Sequence, residues 1–195
     1  MRNKIGYLCV ICGAALVLAA LVLFIYNREE ARRAESSVAE ILPKIMDYLK
    51  EQQTADADPY DPAMTEVEIG GYSYVGCLSI PSLKLTLPVM SEWDDSRLKL
   101  APCRYAGSTK MGNLVIAAHN YRRHFGTLSH LSKKDTVLFT DMDGLTTRYE
   151  VAGVEILWSY AVEEMTAGEY DLTLFTCTYS GTSRVTVRCE RVTEE

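Results

Sequence analysis

The chain opens on an unbroken apolar run. Residues 5–26, IGYLCVICGAALVLAALVLFIY, hold no charged side chain. At about 1.5 Å per residue a helix of that length reaches roughly 33 Å, enough for a bilayer core of about 30 Å. A cleaved secretory signal has a shorter apolar core, roughly 7–15 residues, and a small-residue cleavage site. This run ends instead in Phe24, Ile25 and Tyr26, then charge, so an uncleaved membrane anchor is expected. A soluble core helix would not be apolar on every face. Arg2 and Lys4 precede the run, and Arg28, Arg32 and Arg33 follow it beside Glu29 and Glu30. Acidic residues count little in the positive-inside rule, so flanking charge alone leaves the orientation open.

A second pattern follows. Val38, Ile41, Leu42, Ile45, Met46 and Leu49 form one helical stripe. Pro43 lies inside it and is expected to kink or split the helix. Residues 54–63, TADADPYDPA, have two Asp-Pro steps and read as a linker or surface loop. From residue 72 the period shortens. The runs 72–80, 83–89, 113–118, 136–140, 147–157, 172–177 and 184–192 are short, rich in Val, Ile, Tyr and Thr, and separated by turn residues such as Pro81, Gly107, Gly112, Gly126 and Gly144. Such runs suit strands, and seven or eight of them in about 120 residues suggest a closed barrel or a sandwich. Helix is expected only in short pieces, as around 93–100. The organisation read from these patterns is a tip at 1–4, an anchor at 5–26, a helical stalk and linker at 27–71 and a mainly β domain at 72–195.

Composition narrows the function. The 195 residues are 48% hydrophobic and 24% charged, which fits one anchor and one domain. Net charge is -6. Residues 1–33 hold five of the 20 basic and two of the 26 acidic side chains, leaving 15 and 24 for the rest. With no basic stripe in that acidic body, nucleic acid is not an expected partner. Cys9 and Cys12 fall inside the anchor, as apolar filler. Cys77, Cys103, Cys177 and Cys189 are widely spaced and form no zinc pattern. A disulfide among Cys77, Cys103 and Cys189 is open, but three small buried hydrophobes are favoured.

Three residues carry candidate chemistry. Cys177 ends the run 172–177 before the polar loop TYSGTS, with Thr173 and Phe175 on its own face. Taken alone it reads more readily as a buried structural thiol. His119 follows the strand run 113–118 and suits acid/base work, whereas His124 and His130 read as packed or solvated. Arg184 opens the last strand run, one hairpin-length loop beyond Cys177. Arg188 shares its face and is expected on a solvated strand face. A thiol, an imidazole and a guanidinium suit acyl transfer: nucleophile, proton donor to the leaving amine, and donor to the developing oxyanion. That chemistry calls for no metal and no organic cofactor. No Gly-rich phosphate loop and no G-x-S-x-G run is present.

Around these residues the sequence resembles the sortases, membrane-anchored cysteine transpeptidases of Gram-positive bacteria. TLFTC (173–177) is similar to the family's TLxTC motif, and GNLVIAAHN (112–120) to its G-N-x-V-I-A-G-H segment. SRVTVR (183–188) is similar to the strand that opens with the family's arginine, and YVGCLSIPSLKLTLPV (74–89) to its first-strand pattern. Ala118 departs from the usual Gly before the histidine. The resemblance covers about residues 72–192. It implies a sortase-like eight-stranded β-barrel with short helices, preceded by the transmembrane helix and an amphipathic helix. It implies catalytic Cys177, His119 and Arg184, with Thr176 and Ala118 at the substrate. It also implies an LPxTG-like sorting signal on secreted surface proteins as substrate, a thioester intermediate, and an amine of peptidoglycan precursor or a pilin subunit as acceptor. The N-terminus would be cytoplasmic and the barrel extracellular, and thiol and imidazole would exchange little proton in the free enzyme.

Within that family the stalk and N-terminal anchor favour a housekeeping or class B-like member. Asp58-Pro59-Tyr60 is faintly similar to the lid of pilin sortases, a weak match because Asp-Pro is common in loops. The alternative is a non-catalytic anchored barrel that binds a wall peptide. An L,D-type transpeptidase would need a Ser-x-Gly-Cys-Arg run, which the sequence lacks. Residues 158–171 are expected to shape substrate choice, with Glu163, Glu164 and Glu169 on a solvated face.

Overall fold

The computed structural model describes residues 2–52 and 63–193. The linker and its Asp58-Pro59-Tyr60 step lie outside the described residues. The first element is a single helix, α1 (Arg2–Gln52), which joins the apolar run and the amphipathic stripe without a break. The split expected at Pro43 does not occur. Pro43 lies on the exposed side, where the carbonyl that loses its N–H partner can turn to water. The opposite side buries Ala34, Ile45 and Leu49, and full burial of an Ile or Leu side chain is worth about 1.5–3 kcal/mol. The apolar first half of α1 is exposed among the described residues and is long and apolar enough to cross a membrane.

Among the described residues nine strands follow: β1 (Val67–Ile69), β2 (Tyr72–Ile80), β3 (Leu85–Met90), β4 (Cys103–Ala106), β5 (Leu114–Ala117), β6 (Thr136–Asp141), β7 (Thr146–Trp158), β8 (Leu172–Cys177) and β9 (Ser183–Arg191). Two short helices, α2 (Asp95–Leu98) and α3 (Val162–Thr166), lie in the connections. The strands run in the order β2-β3-β4-β5-β8-β9-β7-β6, and β6 pairs back onto β2, which closes an eight-stranded barrel. β1 adds to β2 ahead of the closure, so the sheet begins before residue 72. β1 and β4 are absent from the sequence pattern because they are only three and four residues long. Pro88 fits inside β3 because the strand's far edge meets β4 only at Met90.

Two layers of core sit on either side of the wall. Leu78, Leu114, Ile116, Phe139, Tyr149, Leu172, Leu174 and Val187 fill the barrel. Outside it, Tyr74, Cys77, Met90, Cys103 and Met142 lie under Ile45 and Leu49 of α1. This double coverage explains why runs such as 113–118 are apolar throughout instead of alternating. β6, open on one face, does alternate.

Cys77, Cys103 and Cys189 are free and buried. Cys77 and Cys103 belong to the outer layer and Cys189 to the barrel interior. Burial pushes each thiol up to about 12.

Candidate active site

Three neighbouring strand ends carry the candidate residues. β8 and β9 are antiparallel, and Cys177 is paired directly with Arg184. Opposite residues in such a ladder project from the same face, with Cβ atoms about 4.5–5.5 Å apart. β5 and β8 are parallel, in register from Leu114↔Leu172 to Ala117↔Phe175. That register continues past the ladder. Ala118 N donates to Phe175 O at 3.2 Å, and Thr176 Oγ1 donates to Ala118 O at 2.8 Å. It sets His119 level with Cys177, on the adjacent strand end. Alternation then turns His119, Cys177 and Arg184 to the outer face of the barrel, the face on which Val115, Ala117 and Phe175 meet Met165.

Thr176 and Ala118 are buried, and the hydroxyl of one is spent on the carbonyl of the other. Their visible work is to tie the ends of β5 and β8 together. Cys177 is the partly exposed thiol among the four of the barrel. It borders a cavity of about 130 Å³ with Asn120, Gly126, Thr178 and Tyr179. Arg184 Nη1 donates to Gly181 O at 3.0 Å and Ser183 O at 3.1 Å, which holds the β8–β9 turn. A guanidinium has five N–H groups, so donors remain for a substrate.

His119 opens a tight loop. Phe125 N donates back to His119 O at 3.2 Å, and Gly126 N to Tyr121 O at 3.0 Å. Gly126 is required for this closeness: a Cβ there would lie 2.4 Å from Asn120 O. The His119 ring packs on Tyr121, centroids 4.9 Å apart. Nε2 of His119 is buried without a hydrogen-bond partner among the described residues. Burial holds the imidazole below its ordinary pKa; Glu30 pulls it back up and Lys99 pushes it further down. His124, beneath the loop, is fully buried with both ring nitrogens unpartnered among the described residues. Burial and the neighbouring His119 lower it to about 4. It is a packed neutral ring, and His130 is exposed.

Three features of the site were not read from the sequence. Glu30 of α1 reaches the His119 loop. It accepts from Tyr26 Oη at 3.0 Å, lies 3.7 Å from Lys99 Nζ and, second to burial, helps hold the Tyr121 hydroxyl above its ordinary pKa. A row of rings, Trp93, Tyr105 and Phe175, runs along the outer face with centroids 5.1 Å apart at each step. Arg188 is buried, which corrects the solvated face expected for it. Its Nε lies 2.7 Å from Glu155 Oε1, Nη1 donates to Thr173 Oγ1 at 3.1 Å, and Nη2 to Glu164 O at 2.8 Å. Its guanidinium also lies over the Tyr170 ring at 5.4 Å. Arg188 thus clasps α3 and the segment before β8 onto the barrel wall. Alternation gave its face; that α3 folds back over that face was not legible.

Comparison with known proteins agrees with this architecture. A family model described as a sortase domain matches residues 78–192. Sortase A of Bacillus anthracis is 27% identical over 166 residues, spanning 78% of this chain and 77% of that protein. Among solved structures, sortase C1 of Streptococcus suis superposes with a TM-score of 0.55 at 25% identity, covering 63% of this chain and 74% of its own. Sortase A of Corynebacterium diphtheriae superposes with a TM-score of 0.57 at 18% identity, covering 91% and 97%. These relatives carry A and C designations, and the class B-like leaning gains no support from them.

Proposed function

The chain belongs to the sortase family, and on that footing we propose that it is a membrane-anchored cysteine transpeptidase. The observation that carries this reading is the common level of Cys177, His119 and Arg184 at the ends of β8, β5 and β9. In the proposed reaction the Cys177 sulfur attacks the carbonyl carbon of the scissile bond in an LPxTG-like sorting signal. The thiol proton passes to His119. Arg184 donates hydrogen bonds to the oxyanion that develops. The C–N bond then breaks, His119 returns the proton to the leaving amine, and a thioester remains on Cys177. An amine of a peptidoglycan precursor or a pilin subunit attacks that thioester, gives its proton to His119 and regenerates the thiol. A neutral imidazole, favoured by the burial of His119, suits the first proton transfer.

Thr176 and Ala118 serve in this scheme as positioning residues that keep the two strand ends together. The ring row ending at Phe175 offers an apolar wall to the peptide. The orientation that fits the substrate has the N-terminus in the cytoplasm and the barrel outside.

The test incubates the full chain, in detergent, with sorting-signal peptides and an amine. A new amide product is expected, lost entirely in Cys177→Ala. Undiminished turnover in that variant would overturn the assignment. A Cys177 that resists a methanethiosulfonate reagent, in a chain that processes none of a peptide library, would favour the non-catalytic barrel.

A further inference from the structure

Five cations converge on one cavity of about 550 Å³ between α1, the connection from β2 to β3 and the loop that follows His119. They are Arg28 and Arg32 of α1, Lys84, Arg122 and Arg123, with Glu35 the one carboxylate in the wall. Arg123 is paired with Glu35 at 3.1 Å. Among the described residues the other four have no carboxylate partner. This concentration runs against the balance of the chain, whose net charge is -6. Leu83 and Leu85 supply an apolar floor.

The position of the cavity along α1 identifies what it meets. The apolar run ends at Tyr26, so Arg28 and Arg32 stand about 3 and 9 Å further along the helix axis. A headgroup layer is roughly 5–8 Å deep on each side of the hydrocarbon core. With α1 in a bilayer, Arg28 therefore lies within the headgroup layer and Arg32 at its outer edge, so the α1 side of the cavity borders the headgroups. Guanidinium groups match phosphate oxygens in geometry and charge.

We propose that this cavity binds the phosphate groups of anionic phospholipids in the bilayer that α1 enters. The inference rests on α1 being the membrane anchor. Because Arg122 and Arg123 belong to the loop opened by His119, a bound headgroup would hold that loop and fix the barrel's rotation over the membrane.

The test uses the full chain in nanodiscs of phosphatidylcholine, with or without phosphatidylglycerol, and reads amide hydrogen exchange at residues 83–86 and 120–127. Exchange is expected to slow about fivefold or more with phosphatidylglycerol, the factor expected from one cation near an anionic surface. The effect should vanish in the double variant Arg32→Gln with Arg122→Gln. It should persist in Lys133→Gln with Lys134→Gln, which removes the same charge outside the cavity. Equal exchange in both lipids, or equal slowing in the first double variant, would overturn the proposal. The same slowing by inorganic pyrophosphate in pure phosphatidylcholine discs would overturn the lipid as the source. A chain that does not remain with the discs on size exclusion would overturn the anchor reading itself, a failure distinct from loss of the lipid effect.

Discussion

Cys177 and Arg184 occupy the last rung of the β8–β9 ladder, facing each other across the strands with side chains on the barrel's outer face. The guanidinium is already drawn to Gly181 O and Ser183 O. Holding the turn and the proposed stabilisation of an oxyanion are therefore separable. Arg184→Ala and Arg184→Lys are expected to lower kcat/KM by about 10²-fold, the usual loss for one oxyanion donor. Steady-state kinetics with thermal melts checks this. A fall in Tm with intact kcat would assign the residue to the turn alone.

Arg188 makes a different prediction, because its bonds go to α3, Thr173 and Glu155 rather than to the groove. Loss of one partner of a fully buried ion pair costs about 3–5 kcal/mol. The Glu155 side chain is 45% exposed, so Arg188→Met should cost about 2–3 kcal/mol. Urea unfolding measures it, and Thr173→Val should cost about 1 kcal/mol by the same method.

Gly126 sets the path of the His119 loop. Gly126→Ala would bring a Cβ to 2.4 Å from Asn120 O and 2.8 Å from Tyr121 O, both backbone atoms that cannot swing aside. A destabilisation of about 1–3 kcal/mol is expected, as for other overpacked sites. Turnover should fall more than Tm alone explains, because the displaced loop carries His119. Kinetics below the melting transition would separate the two.

His124 ties stability to pH. Its folded pKa is about 4, below the ordinary imidazole value, so the unfolded chain binds the extra proton. The proton penalty is absent above about pH 6.5 and grows as pH falls toward 4, where about 3 kcal/mol of stability has been lost. His119 shifts in the same direction and adds to the slope. Denaturant midpoints measured across this range should fall with acid, and His124→Phe should flatten the curve. An unchanged slope in that variant would place the dependence elsewhere.

The helix α1 covers Cys77 and Cys103 through Ile45 and Leu49. Both thiols are expected to resist a methanethiosulfonate reagent in the full chain and to react in a chain that begins at residue 63. Mass spectrometry of the labelled protein counts them. If they stay protected after removal of α1, the outer layer is closed by the barrel alone.

Several elements were legible from pattern alone. The bounds of β2 and β8 coincide with their runs, because each carries apolar residues up to a definite turn. The apolar stripe of α1 was legible for the same reason. The continuity of α1 through Pro43 was not, since local propensity argues for a break and only packing of one side on the barrel overrides it. Arg188 was misread because a strand pattern gives the face of a residue but not what folds over that face.

The sequence by itself determined which residues could carry the chemistry and which segments would be strands, because residue type and period two are local properties. It also determined that one helix is long and apolar enough to cross a membrane, through length and the absence of charge. Tertiary structure alone decided that Cys177, His119 and Arg184 share a level, because that depends on a parallel register between strands 58 residues apart. It alone brought Glu30, Arg28 and Arg32 from α1 to the loop of His119. Those neighbours are fixed by how a rigid helix docks on a closed barrel, and no short window of sequence encodes that angle.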